Sequence, residues 1–180
     1  MIRTGLLLAA GASRRFGPQD KLLALLHGQP LVTHAADALR DTPLDHRIAV
    51  IAHPELARLL DGFEIILIPP GQQSDSLRAG LQAAGQPDRL LIALGDMPDV
   101  TAAHLTRILT AATEDLPACS HDGTAPLPPA CFPQARLADL HSLNGDQGAA
   151  RLLQDLPPTQ YIDARSLLRD IDTPDQIAPT

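Results

Sequence analysis

Three basic residues and three aspartates carry the chemistry this sequence can do. Arg14, Arg15 and Lys21 sit within or just past a small-residue loop, Gly11-Ala12-Ser13-Arg14-Arg15-Phe16-Gly17. Glycines at both ends let backbone approach a ligand closely. Open amides in such a loop form a concave nest for phosphate oxygens, and guanidinium and ammonium groups add positive charge. Asp96 stands in Leu94-Gly95-Asp96-Met97-Pro98, and Asp170 and Asp172 flank Ile171 in Asp170-Ile171-Asp172-Thr173-Pro174-Asp175. In an extended segment both acids of that pair point the same way. Carboxylates suit Mg²⁺, which usually keeps one or two protein carboxylates plus substrate phosphates. Acids far apart in sequence can grip a metal from both sides, as phosphoryl transfer requires. The chemistry implied is the handling of a polyphosphate.

These residues need rigid elements to aim them. The apolar run before the loop reads as a buried strand, Thr4–Ala9. Further strand candidates are Arg47–Ala52, Glu64–Ile68 and Arg89–Leu94. Helical patterns lie between and after them, at Leu31–Arg40, Pro54–Asp61, Ser76–Gly85 and Ala102–Thr113. This alternation predicts an α/β fold, a Rossmann-like mostly parallel sheet with helices on both faces. Ligands bind such sheets at the carboxyl ends of the strands. The Gly11 loop and the Gly95–Pro98 turn both follow strands, so they should meet at one cleft. Asp99 or Thr101 can cap the helix that follows, which leaves Asp96 without a capping duty. Thr173-Pro174 reads as an N-cap and first helical position.

The second half is broken by prolines 117, 126, 128, 129, 133, 157 and 158. Short strands are expected at Ala118–Ser120, Ala130–Phe132 and Gln160–Asp163. A helix is expected from after Gly145-Asp146 to Leu156. Nothing marks a domain boundary, so residues 1–180 are expected to form a single domain.

Bulk properties exclude several classes. Hydrophobic residues make up 44% of the chain, which rules out a disordered protein. Aromatics are 2% with no Trp, so the core must be Leu, Ile, Val and Ala. A net charge of −7 argues against nucleic acid or a membrane surface as partner. No stretch is long enough to span a bilayer and no signal-peptide pattern is present, so the expected location is cytoplasmic. Cys119 and Cys131 form no metal pattern and read as small buried residues. The seven histidines do not cluster; His53 follows a strand and could face the cleft.

The loop is neither a Walker A sequence nor a dinucleotide fingerprint, because the required glycine and Gly-Lys-Ser/Thr spacings are absent. It resembles the signature of nucleotidyltransferases with a glycosyltransferase-A-like fold. Leu8-Ala9-Ala10-Gly11, Ser13, Arg15, Gly17 and Lys21, then Gly95-Asp96-Met97-Pro98, then Asp170-Ile171-Asp172-Thr173-Pro174-Asp175 resemble the molybdenum cofactor nucleotidyltransferases. Ser76-Leu77-Arg78-Ala79-Gly80 and Gly145-Asp146-Gln147-Gly148-Ala149 extend the resemblance over nearly the whole chain. Ala10, where the guanylyl branch usually has glycine, favours the cytidylyl branch. That branch often carries Gly-His-Pro before a strand ending in Phe; here Thr124–Phe132 has no His.

The resemblance implies that the backbone and side chains of Leu8, Ala9, Ala10, Gly11, Ala12, Ser13, Arg14, Arg15 and Lys21 wrap the triphosphate. It implies that Arg15, Lys21 and Asp96 are catalytic, and that Asp96 and Asp172 hold Mg²⁺. Pro70, Gly71, Gln73 and Ser76 would read the base and ribose, and Gly145, Asp146 and Gly148 would face the acceptor. The activity implied is transfer of CMP from CTP to the terminal phosphate of molybdopterin, with a molybdoenzyme or its chaperone as partner. The alternatives are a guanylyltransferase using GTP, transfer to another phosphate acceptor such as a sugar phosphate, or a non-enzymatic cofactor chaperone on the same fold.

Overall fold

The computed structural model describes residues 1–11, 16, 20–143 and 149–177 of the chain. It begins with β1 (Arg3–Ala9), a one-turn 3₁₀ helix (Lys21–Leu23) and a small hairpin, β2 (Leu25–Leu26) and β3 (Gln29–Pro30). Then come α1 (Leu31–Arg40), β4 (His46–Ile51), β5 (Glu64–Leu67), α2 (Gln73–Ala84), β6 (Arg89–Leu94) and α3 (Ala102–Ala111). The second half adds β7 (Ala118–His121), β8 (Pro126–Pro133), α4 (Leu137–His141) and β9 (Tyr161–Asp163).

One seven-stranded sheet runs β5-β4-β1-β6-β8-β7-β9. Strands β4, β5 and β6 run parallel to β1, directly or through a shared neighbour. Strand β8 runs antiparallel to both β6 and β7, and β9 is parallel to β7. The expected mostly parallel sheet is therefore present.

Alternation along β1 explains its central place. Leu6 and Leu8, with Ala10 just past it, pack with Leu77 and Leu81 of α2 and Leu137 and Leu140 of α4. Leu7 and Ala9 face the other way, toward Leu31, Leu39, Leu105 and Ile108 of α1 and α3. A strand buried on both faces must be apolar at every position, as this one is from Leu6 to Ala9. α2 lies so close to β1 that a methyl at Gly80 would come 2.5 Å from Leu6 Cδ1. Apart from Phe132, the largest fully buried side chains are aliphatic, as the composition requires.

Several expectations need correction. The helix expected at Pro54–Asp61 is instead a six-residue 3₁₀ helix, Pro54–Leu59. α2 begins at Gln73 rather than Ser76, started by the Gln72 and Asp75 capping box. Of the helix expected to reach Leu156, the described part is a 3₁₀ turn, Ala149–Leu153. Strand β8 is longer than Ala130–Phe132 despite its prolines. Its pairing to β7 jumps from Cys119↔Ala130 to Ser120↔Leu127, so Pro128 and Pro129 fall in a bulge where no ladder N–H is needed. The β2–β3 hairpin and α4 were not anticipated; two-residue strands and a five-residue helix leave too short a period to read.

Cys119 and Cys131 are free and buried on opposite faces of the sheet, and burial pushes both thiols up to about 12. Among the described residues no helix is long and apolar enough to cross a membrane.

Candidate functional site

The carboxyl ends of β1 and β6 lie side by side, with the Gly95 amide donating to the Leu8 carbonyl at 3.0 Å. The strand end at Leu94 therefore delivers Asp96 beside the start of the glycine loop. Gly11 forms a parallel bridge with Gly71, which brings the loop to the segment preceding α2. A side chain at Gly71 would crowd Asp75 Oδ2 to 2.9 Å, the same oxygen that accepts the Gln72 amide at 3.2 Å. Glycine at 71 and the α2 cap thus depend on one another.

Lys21 opens the 3₁₀ helix capped by Asp20, whose Oδ1 accepts the Leu22 amide at 3.0 Å. The cap turns the lysine inward, where it is 8% exposed. Its Nζ lies 2.7 Å from Asp96 Oδ2, 3.2 Å from Asp172 Oδ1 and 3.8 Å from Asp170 Oδ1. Burial alone would pull the ammonium down, but the three carboxylates outweigh it and hold its pKa above the ordinary value. The same crowding disfavours the charged form of Asp170. Burial first, then the charge of Asp96, raises that carboxyl to about 6 against the pull of Lys21. One ammonium thus serves three crowded acids.

The acids come from opposite ends of the chain. Ile171 is fully buried, and its amide donates to the Asp96 carbonyl at 3.1 Å. This leaves Asp170 and Asp172 on the lysine side, as an extended Asp-x-Asp demands. Gln176 holds the segment in place: its Oε1 accepts the amides of Asp172 at 2.6 Å and Thr173 at 2.8 Å, and its Nε2 donates to the Asp170 carbonyl at 3.1 Å. Arg169 grips Asp99 with two donors, at 2.7 and 3.2 Å, tying the same segment to the turn after Asp96. Thr101 caps α3 by accepting the His104 amide at 3.3 Å. Asp96 is left free of any capping role, as the sequence indicated.

The structure therefore unites Lys21, Asp96 and Asp172, and sets Gly11 beside Gly71. It brings Asp170, the other acid of the expected pair, to the same lysine, and adds Gln176 and Arg169 as neighbours that the sequence did not place at the site. Thr173-x-x-Gln176 is a capping-box pattern that would have flagged Gln176; nothing local marks Arg169. Leu8, Ala9 and Ala10 are buried with their side chains in the core, so only their backbone can meet a ligand. Ser76 is 3% exposed, whereas Pro70 is exposed and Gln73 half-buried. His53 stands 3.8 Å from Asp20 Oδ2, behind the lysine turn. Ala12, Ser13, Arg14, Arg15, Gly145, Asp146 and Gly148 lie outside the described residues.

The donor set suits a hard cation. Asp96 Oδ1 is buried and has no hydrogen-bond partner, although its twin oxygen meets Lys21. A buried carboxyl oxygen without a hydrogen-bond partner is costly, and a metal would satisfy it. Among the described residues no group of three acids, histidines or cysteines is disposed to hold a metal by itself, so the protein offers part of a coordination shell. That matches the habit of Mg²⁺, which takes a carboxylate or two and completes its shell with water and phosphate.

This chain is similar to known proteins in sequence and in fold. The purine catabolism protein PucB of Bacillus subtilis is 31% identical over 96% of this chain and 92% of its own length. A probable molybdenum cofactor guanylyltransferase of Pyrococcus horikoshii is 34% identical over 57% of this chain and 52% of its own. The crystal structure of Rv0371C from Mycobacterium tuberculosis in complex with manganese superposes with a TM-score of 0.75 at 26% identity, covering 97% of this chain and 95% of that one. The model of the MobA-like NTP transferase domain matches residues 5–161, from the first strand through the start of β9. That match makes the chain a nucleotidyltransferase by kind, and this chain belongs to the MobA-like NTP transferase family.

Proposed function

We propose that this protein transfers a nucleoside monophosphate, CMP from CTP in the first place, to the terminal phosphate of a molybdopterin-type acceptor in the cytoplasm. The observation that carries the reading is Asp96: an aspartate at the end of a central strand, with one oxygen on Lys21 and the other buried without a partner. The acceptor phosphate oxygen attacks the α-phosphorus, a new P–O bond forms, and the bond to pyrophosphate breaks. A phosphate nucleophile is already ionised and needs no general base. Positioning and charge neutralisation therefore dominate, as in other phosphoryl transfers.

Asp96 and Asp172 are the residues that would hold Mg²⁺. When bound, the ion supplies positive charge to the reacting phosphates. Arg15 and Lys21 are assigned to the triphosphate, where they oppose the charge that grows on the leaving pyrophosphate. Pro70, Gly71 and Gln73 are assigned to the base and ribose, and Gly145, Asp146 and Gly148 to the acceptor. The buried methyl of Ala10 cannot touch the base. It packs in the same cluster as Leu77 of α2, the helix whose first residue is Gln73, and so bears on the base through the seating of that helix.

Pyrophosphate release from CTP and from GTP, each with Mg²⁺ and with or without molybdopterin, tests the whole reading. Release with CTP that requires molybdopterin is expected. Faster release with GTP moves the donor assignment to the guanylyl branch. Release with a sugar phosphate and none with molybdopterin replaces the acceptor.

A further inference from the structure

We propose that Lys21 is a resident cation occupying the place of the metal, and that nucleotide binding exchanges one for the other. The inference rests on the reading that Asp96 and Asp172 hold a divalent ion. The ammonium is within 3.8 Å of three carboxylates from two distant segments, and is closest to the oxygen of Asp96 whose twin has no partner. A divalent ion bound to Asp96 and Asp172 would need contact distances shorter than those the ammonium keeps. The two cations repel, so they cannot share this space at full strength.

The parts that could move are unequal. Asp96 stands two residues past a central strand, and Asp170 and Asp172 are pinned through the buried Ile171 and the Gln176 side chain. The lysine is a point charge on a flexible four-carbon stem. It leads a 3₁₀ turn that begins four residues past Gly17. A triphosphate bound at the carboxyl edge beside Gly11 would offer its oxygens to that stem. The ammonium then leaves the acids for the phosphates, and the carboxylates it uncovers accept the divalent ion. Without nucleotide the lysine keeps the acids partly neutralised and excludes the metal.

The consequence is an energetic coupling between the nucleotide and metal sites. Such coupling is reciprocal: whatever nucleotide does for metal affinity, metal does for nucleotide affinity. A lysine serving only as a phosphate ligand would weaken nucleotide binding when removed and leave nucleotide-free metal affinity as it was.

The test measures Mn²⁺ binding to nucleotide-free protein, by the electron paramagnetic resonance signal of free manganese. Lys21→Met keeps the length of the stem and removes its charge. It is expected to bind Mn²⁺ at least tenfold more tightly than the wild type, and to gain more melting temperature from added MnCl₂. Lys21→Gln should behave alike and serves if the Met variant does not fold. Adding Asp96→Asn to either variant should abolish the gain. Equal Mn²⁺ affinity in wild type and Lys21 variants, with Asp96→Asn still destroying it, overturns the exchange and leaves the metal assignment standing. A gain that survives Asp96→Asn and Asp172→Asn overturns both.

Discussion

Two buried polar clusters of this molecule invite comparison. At the carboxyl edge of the sheet, Lys21 meets Asp96, Asp170 and Asp172. Between α3 and β7, His104 Nε2 lies 2.8 Å from Ser120 Oγ, which donates to the Pro129 carbonyl at 3.1 Å. Each holds one buried atom without a partner, Asp96 Oδ1 in the first and His104 Nδ1 in the second. The clusters differ in charge. With its hydroxyl hydrogen given to Pro129, Ser120 accepts from the imidazole, so Nε2 carries the hydrogen and Nδ1 is a neutral acceptor. Burial, helped by nearby Arg107 and opposed by Asp163, holds the His104 pKa below its ordinary value. The histidine cluster is neutral and joins elements; the lysine cluster is charged, crowded and a cation short. An orphaned atom points to a ligand when its neighbours repel one another, and to packing when they do not.

The comparison breaks first at Asp96. Asp96→Asn keeps the shape of the strand end and removes the oxygen charge. Activity is expected to fall by about 10²–10³, a loss of roughly 3–4 kcal/mol in transition-state stabilisation, with the circular dichroism spectrum unchanged. Full Mg²⁺-dependent turnover in this variant would make the cleft acids structural, like the histidine.

Ser120→Ala should do the reverse. It strands the imidazole N–H in the core, which costs about 1–3 kcal/mol of stability. Denaturant unfolding should show that loss while kcat stays at the wild-type value. A large fall in kcat with unchanged stability would mean that the two clusters had been assigned the wrong way round.

The smallest effect is in pH. A lowered imidazole pKa means that the unfolded chain takes up a proton the folded one refuses. Stability is therefore whole above about 6.5 and falls as pH drops from there toward the depressed folded value. His104→Gln keeps a donor toward Ser120 without the titration. The difference between its stability curve and that of the wild type should open only below about pH 6.5, and a flat difference would remove the histidine from the acid limb.

The first of these clusters was half legible in the sequence. Asp96 was marked by the apolar run before it and by Thr101, which relieves it of capping. Asp170 and Asp172 were marked by their spacing around Ile171. That Lys21 turns onto them was not legible, because 151 residues separate Lys21 from Asp172 and no local period records such a pairing. The histidine cluster left no trace in the sequence reading. A lone His and a lone Ser meet only because β8 bulges at its prolines and brings the Pro129 carbonyl to Ser120. Of the fold, β1, β4 and β6 were legible as buried runs. β8 was foreshortened, since prolines ordinarily argue against a strand and only the register shift excuses them.

The amide of Ile171 on the Asp96 carbonyl has a consequence for order of assembly. The sheet can form from strands that precede residue 164, yet the acids of the cleft cannot be complete until the stretch at 170–172 has come back across the molecule. Loops that close over such separations pay their entropy late and form slowly relative to neighbouring contacts. During synthesis the glycine loop and Lys21 are therefore made well before the acids at 170 and 172. A nascent or clipped chain would own most of a fold before it owned a working centre.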